Sequence, residues 1–363
     1  MPTPRRAALH RVPMRHPGDT AAIEHLITTG RLDPSGIVAI LGKTEGNGCV
    51  NDFTRAYAVQ SLTLMLARHM GVEAAARVAL VMSGGTEGGL SPHFLVFTVE
   101  AGDAPNPAGA LAIGTGFTRD FAPEEIGRPA QAEAVATAVH QAMEAAAITE
   151  VHYVQVKCPL LTTERIATAG ASVATEDTYA SMGLSRGASA LGVALALGEV
   201  DAVLPEDIGR NWKRFSAVAS ASAGVELERC EVIVLGNSTA WSGDLAIAHA
   251  VMQDAIDLPA VHRAMRLAGL PAEDGQLAPA AAERLVAVLA KAEPSSTGRI
   301  RGQRHIMWDD SDINATRHAR ALVGGVIAGA VGRTDIFVSG GAEHQGPDGG
   351  GPVAVIARRA LPV

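Results

Sequence analysis

Only four of the 30 basic residues in the chain are lysine, and three of them, Lys43, Lys157 and Lys291, close apolar runs: IVAILGKTE, VHYVQVKCP and LVAVLAKAE. A lysine at the end of a buried strand loses solvation. Burial and neighbouring guanidinium groups both lower its pKa, toward a neutral amine that can take a serine proton. A serine follows each lysine at a distance: Ser83 in VMSGGTEG, Ser222 in SASAGVEL and Ser339 in VSGGAEHQ. Each serine precedes a small residue, a glycine, any residue and a glutamate. Small residues there let backbone N–H groups approach a carbonyl oxygen or oxyanion. Between lysine and serine lies a third shared element, a hydroxyl residue followed by arginine: Thr54-Arg55, Ser185-Arg186 and Thr316-Arg317. Arginine supplies planar, permanently charged donors for carbonyls or an anionic ring. The combination is that of a Ser-Lys dyad, a variant of the serine nucleophile. Lys213 has no place in the pattern.

The order Lys, Arg, Ser recurs with serine-to-serine steps of 139 and 117 residues, against 121 for one third of the chain. Three homologous units therefore fill the sequence. Each reads strand, helix, strand, strand, helix, which predicts α/β units. The strand-like segments His93–Val99, Cys230–Gly236 and Pro352–Ala357 follow the serines, and Ala-rich helical stretches open at the arginines. Pro/Gly-rich AGDAPNPAG and the stretch around Gln253–Pro259 suggest boundaries, giving units 1–103, 111–248 and 254–363.

Composition removes several classes. A formal charge of −8 and 4% aromatics argue against a nucleic-acid binder or a stacking platform for single strands. No apolar run is long enough for a membrane span or signal peptide, and three unpaired cysteines suit a reducing compartment, so a cytoplasmic protein is expected. Gly42-Lys43-Thr44 mimics the end of a P-loop, but position 37 is Ile37 where glycine is required. Gly183–Gly187 matches G-x-S-x-G, yet TEDTYASM before it makes a poor strand for a nucleophile elbow. No two histidines stand at metal-hydrolase spacing. The glycine-rich Gly340–Pro352 loop offers backbone carbonyls, and Glu293 a carboxylate, an oxygen set that suits Mg²⁺ or Ca²⁺.

GKTEGNGCVNDFTR, MSGGTEG, VQVKCPLL, SMGLSRGASALGVALA, SASAGVE, DSDINATRHARA and SGGAEHQGPDGGGPVAVIAR resemble the cyanuric acid amidohydrolase/barbiturase family nearly end to end. The resemblance implies three similar α/β units about a pseudo-threefold axis, with one active site built from all three. It implies hydrolytic opening of a cyclic imide-like ring, cyanuric acid giving carboxybiuret and then biuret and CO₂. On this reading Ser222 is the nucleophile and Lys157 its base. Ser83 with Gly84, Ser339 with Gly340, Ala223 and the arginines Arg55, Arg186 and Arg317 bind the ring, with Lys43 and Lys291 in support. A structural metal maps onto Glu293, Ala342, Gln345, Gly346, Pro347 and Gly350. No organic cofactor is implied, and a homotetramer is.

Threefold repetition alone does not choose the reactive dyad; that choice follows the family. Two other functions remain open at this point. A barbiturase would open a pyrimidine ring with the same apparatus, giving ureidomalonate. A non-catalytic binder of a small cyclic ligand would use the same threefold pocket, although retention of all three serines and lysines argues against it.

Overall fold

The computed structural model describes residues 3–308 and 313–360. Three four-stranded sheets repeat one topology. In each, an outer strand runs antiparallel to the last strand, which runs antiparallel to the lysine strand, which pairs parallel with the serine strand. The first sheet comprises Arg5–Pro13, His93–Ala101, Ile37–Thr44 and Ala79–Gly84, extended by the short Trp241–Ser242 strand beside Arg5. The second comprises Ala110–Phe117, Glu231–Ser238, Glu150–Pro159 and Ala219–Gly224. The third comprises Leu245–Met252, Gly351–Arg358, Leu285–Ala292 and Phe337–Gly340.

Two differences from the sequence reading stand out. Each sheet opens with an additional strand followed by a helix (Ala21–Thr28, Pro129–Ala146, Leu258–Leu267), so the full order is strand, helix, strand, helix, strand, strand. The strand Leu245–Met252 also pairs with Gly351–Arg358, so the division between second and third units falls before Leu245 and not between 248 and 254. Nothing in its local composition separates this strand from the one before it; only long-range pairing does.

Side-chain alternation explains how the chemistry reaches the interior. In the first lysine strand Ala39 and Leu41 belong to the core shared by all three sheets, while Ile40 packs outward beneath the helix Phe53–Met70. Lys43 continues the inward series. Ala79 and Val81 lead to Ser83, Ala287 and Leu289 to Lys291, and Phe337 to Ser339 in the same way. Parallel pairing then sets Lys43 opposite Ser83, Lys157 opposite Ser222 and Lys291 opposite Ser339. All three pairs lie at strand ends, where the three sheets converge.

Helices carry the arginines. Phe53–Met70 starts at Asp52, whose carboxylate accepts from the Thr54 N–H at 3.1 Å, and Ala315–Val331 starts at Asn314, whose side chain accepts from Thr316 N–H at 2.9 Å. The second-unit helix, Thr178–Ala196, is capped by Asp177 and begins two turns before Arg186. Ser185 sits inside that helix, its hydroxyl donating to Pro159 O at 2.6 Å, so G-x-S-x-G here is a helix segment packed on a strand. Gly42-Lys43-Thr44 lies within a strand. Among the described residues no helix is long and apolar enough to cross a membrane.

Candidate active site

Three serine hydroxyls meet at the convergence of the sheets. Ser339 Oγ lies 2.9 Å from Ser222 Oγ and 3.2 Å from Ser83 Oγ. A small cavity opens over them, lined by Arg55, Ser83, Gly84, Arg186, Ser222, Ala223, Ser339 and Gly340.

The lysines sit behind the serines, each at most 1% exposed. Lys43 Nζ donates to Ser83 Oγ at 3.2 Å and to Gly84 O at 3.1 Å, and Lys291 Nζ donates to Ser339 Oγ and Gly340 O, both at 3.1 Å. Lys291 also crosses to the second unit, donating to Ala221 O at 2.8 Å. Lys157 differs. Its Nζ donates to Met82 O of the first unit at 2.8 Å and lies 2.9 Å from Glu226 Oε1, directed at these groups and not at Ser222. Burial lowers the pKa of all three lysines. Arg320 lowers Lys43 further and Arg186 lowers Lys291 further, whereas Glu226 opposes the fall at Lys157.

Each arginine leaves its own unit and reaches the serine loop of the next. Arg55 Nη1 donates to Ala223 O at 3.1 Å. Arg186 grips Glu343 through Nε at 2.7 Å and Nη2 at 2.6 Å. Arg320 grips Glu87 through Nε and Nη2, both at 2.7 Å. Such bidentate pairs fix both position and orientation. The guanidinium groups lie so close to the loops that a β-carbon at Gly341 would collide with Arg186 and one at Gly85 with Arg320. Both glycines also have positive φ, +78° and +101°.

The third arginine of the cavity is therefore Arg320, one helical turn beyond Arg317. Arg317 does not line the cavity; its side chain is 34% exposed and its Nε donates to Glu87 at 2.9 Å, so it braces the same carboxylate from outside. Local dipeptide identity pointed to Arg317, but helix phase decides: Arg55, Arg186 and Arg320 occupy different depths of their helices. Gly48 and Met182 also line the cavity without having been foreseen. Glu87, Glu226 and Glu343 were visible as the invariant glutamate of the repeat, four residues after each serine, but without a partner to give them a role.

A second cavity adjoins the first across Arg186. Glu293, Glu343, Thr316, Tyr179, Trp212 and Trp308 line it. Glu293 is half-buried beside Glu343, and Thr316 Oγ1 lies 3.2–3.3 Å from its carboxylate oxygens; desolvation and Glu343 raise its pKa. The following loop turns sharply at Gly346 and Gly349, where φ is +100° and +80°. Gln345 commits its side-chain oxygen to the Ala221 N–H at 2.7 Å. Its main-chain carbonyl is then what it can offer a cation. Glu293 and the main-chain carbonyls of Ala342, Gln345, Gly346, Pro347 and Gly350, the residues the resemblance names, offer only oxygen donors, the kind a hard cation takes. Among the described residues no group of three or more His, Cys, Asp or Glu side chains is placed to hold a metal ion.

The sequence model of the family described as amidohydrolase ring-opening protein matches residues 8–358. The cyanuric acid amidohydrolase of Azorhizobium caulinodans is 58% identical over 363 residues, covering 98% of this chain and 99% of that one. That of Pseudomonas sp. (strain ADP) is 54% identical over 361 residues, covering 96% and 98%. The crystal structure of cyanuric acid hydrolase from A. caulinodans has a TM-score of 0.91 at 56% identity, covering 98% of this chain and all of the other. A second cyanuric acid hydrolase structure, described as an innovation by structural concatenation, has a TM-score of 0.92 at 51% identity.

Proposed function

Because the chain belongs to the family of ring-opening amidohydrolases, we infer that it hydrolyses cyanuric acid to carboxybiuret, which loses CO₂ to give biuret. The observation that carries this reading is the threefold cavity. Cyanuric acid presents three carbonyls and three N–H groups in threefold array, and the cavity presents three serines and three arginines in matching array.

Ser222 is the nucleophile of the proposed mechanism. Its Oγ attacks a ring carbonyl carbon while its proton passes to the neutral amine of Lys157. The arginines lie where charge gathers on the carbonyl oxygens and stabilise it in a site with little water. As the C–N bond breaks, Lys157 returns the proton to the departing ring nitrogen. Water then attacks the acyl-enzyme, with Lys157 again as base, and frees Ser222. Ser83 and Ser339 hold the other two faces of the ring, held in turn by Lys43 and Lys291. Glu293 and the Ala342–Gly350 loop would hold a Mg²⁺ or Ca²⁺ ion, whose contribution is to fix the loop carrying Glu343 and so the grip on Arg186. No organic cofactor enters the reaction.

A homotetramer in the cytoplasm accompanies this reading. Phe53, Tyr57 and Leu64 project from one helix at 71%, 50% and 60% exposure, an apolar stripe that a second subunit would cover. The three cysteines are unpaired, as a reducing compartment requires. Purified protein incubated separately with cyanuric and barbituric acid tests the assignment through loss of ring absorbance. Turnover of cyanuric acid is expected. Turnover of barbituric acid alone would make the chain a barbiturase, and turnover of neither would leave only ring binding.

A further inference from the structure

The geometry points to Glu226 as a positioning residue that exchanges partners, holding Lys157 in the ligand-free site and moving to Arg55 when the ring is bound, so that Lys157 is freed to act on Ser222. The inference rests on the hydrolytic reading above and adds a control step to it.

Three equivalent glutamates make the argument. Glu87 and Glu343 each clamp the arginine of a neighbouring unit with two hydrogen bonds. Glu226, the same position of the repeat, lies 2.9 Å from Lys157 instead. Its carboxylate occupies the space beside Gly224, where a β-carbon would collide with it; at the matching glycines, Gly85 and Gly341, that space holds a guanidinium. Arg55, the arginine left over, has a buried Nε with no hydrogen-bond partner, and neither buried carboxylate oxygen of Glu226 makes a hydrogen bond, its hold on Lys157 being an ion pair through Oε1. Nε and Oε2 are the atoms that pair in the other two units.

The lysines show the same asymmetry. Lys43 and Lys291 donate to their serines; Lys157 makes the same cross-unit donation as Lys291, to the carbonyl before a neighbouring serine, but meets Glu226 in place of its own serine. A ring entering the cavity expels water. An unpaired guanidinium N–H and an unpaired carboxylate oxygen become costly in that dry site, and pairing Glu226 with Arg55 satisfies both. Lys157 then loses its counter-charge, releases a proton to water and presents a neutral amine to Ser222. Lys157 is faced by Glu226 from the serine loop, Arg55 from the helix Phe53–Met70, Cys158 from its own strand and Glu231 from the adjacent strand. Of these, Glu226 has the carboxylate in contact with Nζ.

The scarcity of lysine makes the test direct, because isotope-labelled lysine gives only four side-chain signals. Lys157 is titrated by NMR in S222A, which binds the ring without consuming it, with and without saturating cyanuric acid. The ring is expected to lower the Lys157 midpoint by at least about one pH unit. In S222A/E226Q the midpoint is expected to be low already and insensitive to the ring. S222A/E226D, which keeps the charge, should restore the parent behaviour, and S222A/E87Q should leave ligand-free Lys157 unchanged. Equal midpoints in S222A and S222A/E226Q overturn the pairing, and bound ring with an unmoved Lys157 overturns the exchange. If E226Q does not fold, the comparison of S222A with and without ring decides alone. A chain that shows no response to cyanuric acid at any signal overturns the functional reading and the ring-driven exchange with it, while the ligand-free variants still judge the hold of Glu226 on Lys157.

Discussion

The Ser222–Lys157 pair and its two copies share a fold position, a strand register and a buried setting, yet only the copies are joined by a hydrogen bond. In the copies the amine is spent on its own serine and on the carbonyl next to it, an arrangement that fixes the serine. At Ser222 the amine is held by a carboxylate, so the serine is left to a hydroxyl neighbour, Ser339. A repeat of three like parts thus bonds two serines to their lysines and leaves the third without that bond. Reactive chemistry belongs with the part whose proton inventory can change.

The sharpest way to break this comparison is to remove the serines singly. S222A is expected to lower kcat by about 10⁴-fold or more, the scale of losing a nucleophile, with S83A and S339A losing about 10- to 100-fold. Ring absorbance reads all three; residual S222A activity above that of S83A would invert the assignment. Next come the two arginines one turn apart. R320A should cost about 10²-fold in kcat/KM, because it removes a buried donor and strands Glu87, whereas R317A should stay within about fivefold. Equal losses would return Arg317 to the site.

A chelator tests whether the loop after Glu293 depends on an ion. Its removal should lower Tm by several degrees, with recovery on adding Mg²⁺ or Ca²⁺ and no effect in E293A. An unchanged Tm together with metal-free protein by elemental analysis would remove the cation. The smallest effect concerns the seam between the second and third sheets, where His152 and His249 face each other with 2.9 Å between their Nδ1 atoms. Burial and His152 lower His249 from 6.5 to about 4. The unfolded chain therefore takes up a proton that the folded one refuses, and stability should fall as pH drops from 6.5 toward 4. Urea midpoints across that range measure it, and H249Q should flatten the slope; a slope unchanged in H249Q would clear the pair.

The lysine–serine pairs were legible in the sequence because they depend on rules that act locally. Alternation along a strand and a short apolar run ending in a polar residue are visible without knowing what the strand pairs with. The arginines were only partly legible. Thr54-Arg55 and Thr316-Arg317 hold the same third position of their helices, so their different fates depend on how each helix lies over its sheet, while Thr178–Ala196 begins two turns before Arg186. Leu245–Met252 was assigned across a boundary because membership of a sheet is settled by a partner more than 90 residues away, Gly351–Arg358. Glu226 was beyond reach for another reason. All three glutamates hold one slot in the repeat, and which cation each chooses is set by side-chain packing around Gly224, Arg55 and Lys157, not by the order of residues.

The passage of arginines from each unit to the next has a consequence for how the chain holds together. A ligand at the axis touches residues from three sheets that are remote in sequence, so it acts as a rivet through all of them. Bound at 100 times its Kd it would add about 2.7 kcal/mol to the unfolding free energy, and no unit could open at the cavity without losing it. Substrate would then do more than react: while present, it would fasten three repeated units into one cooperative body.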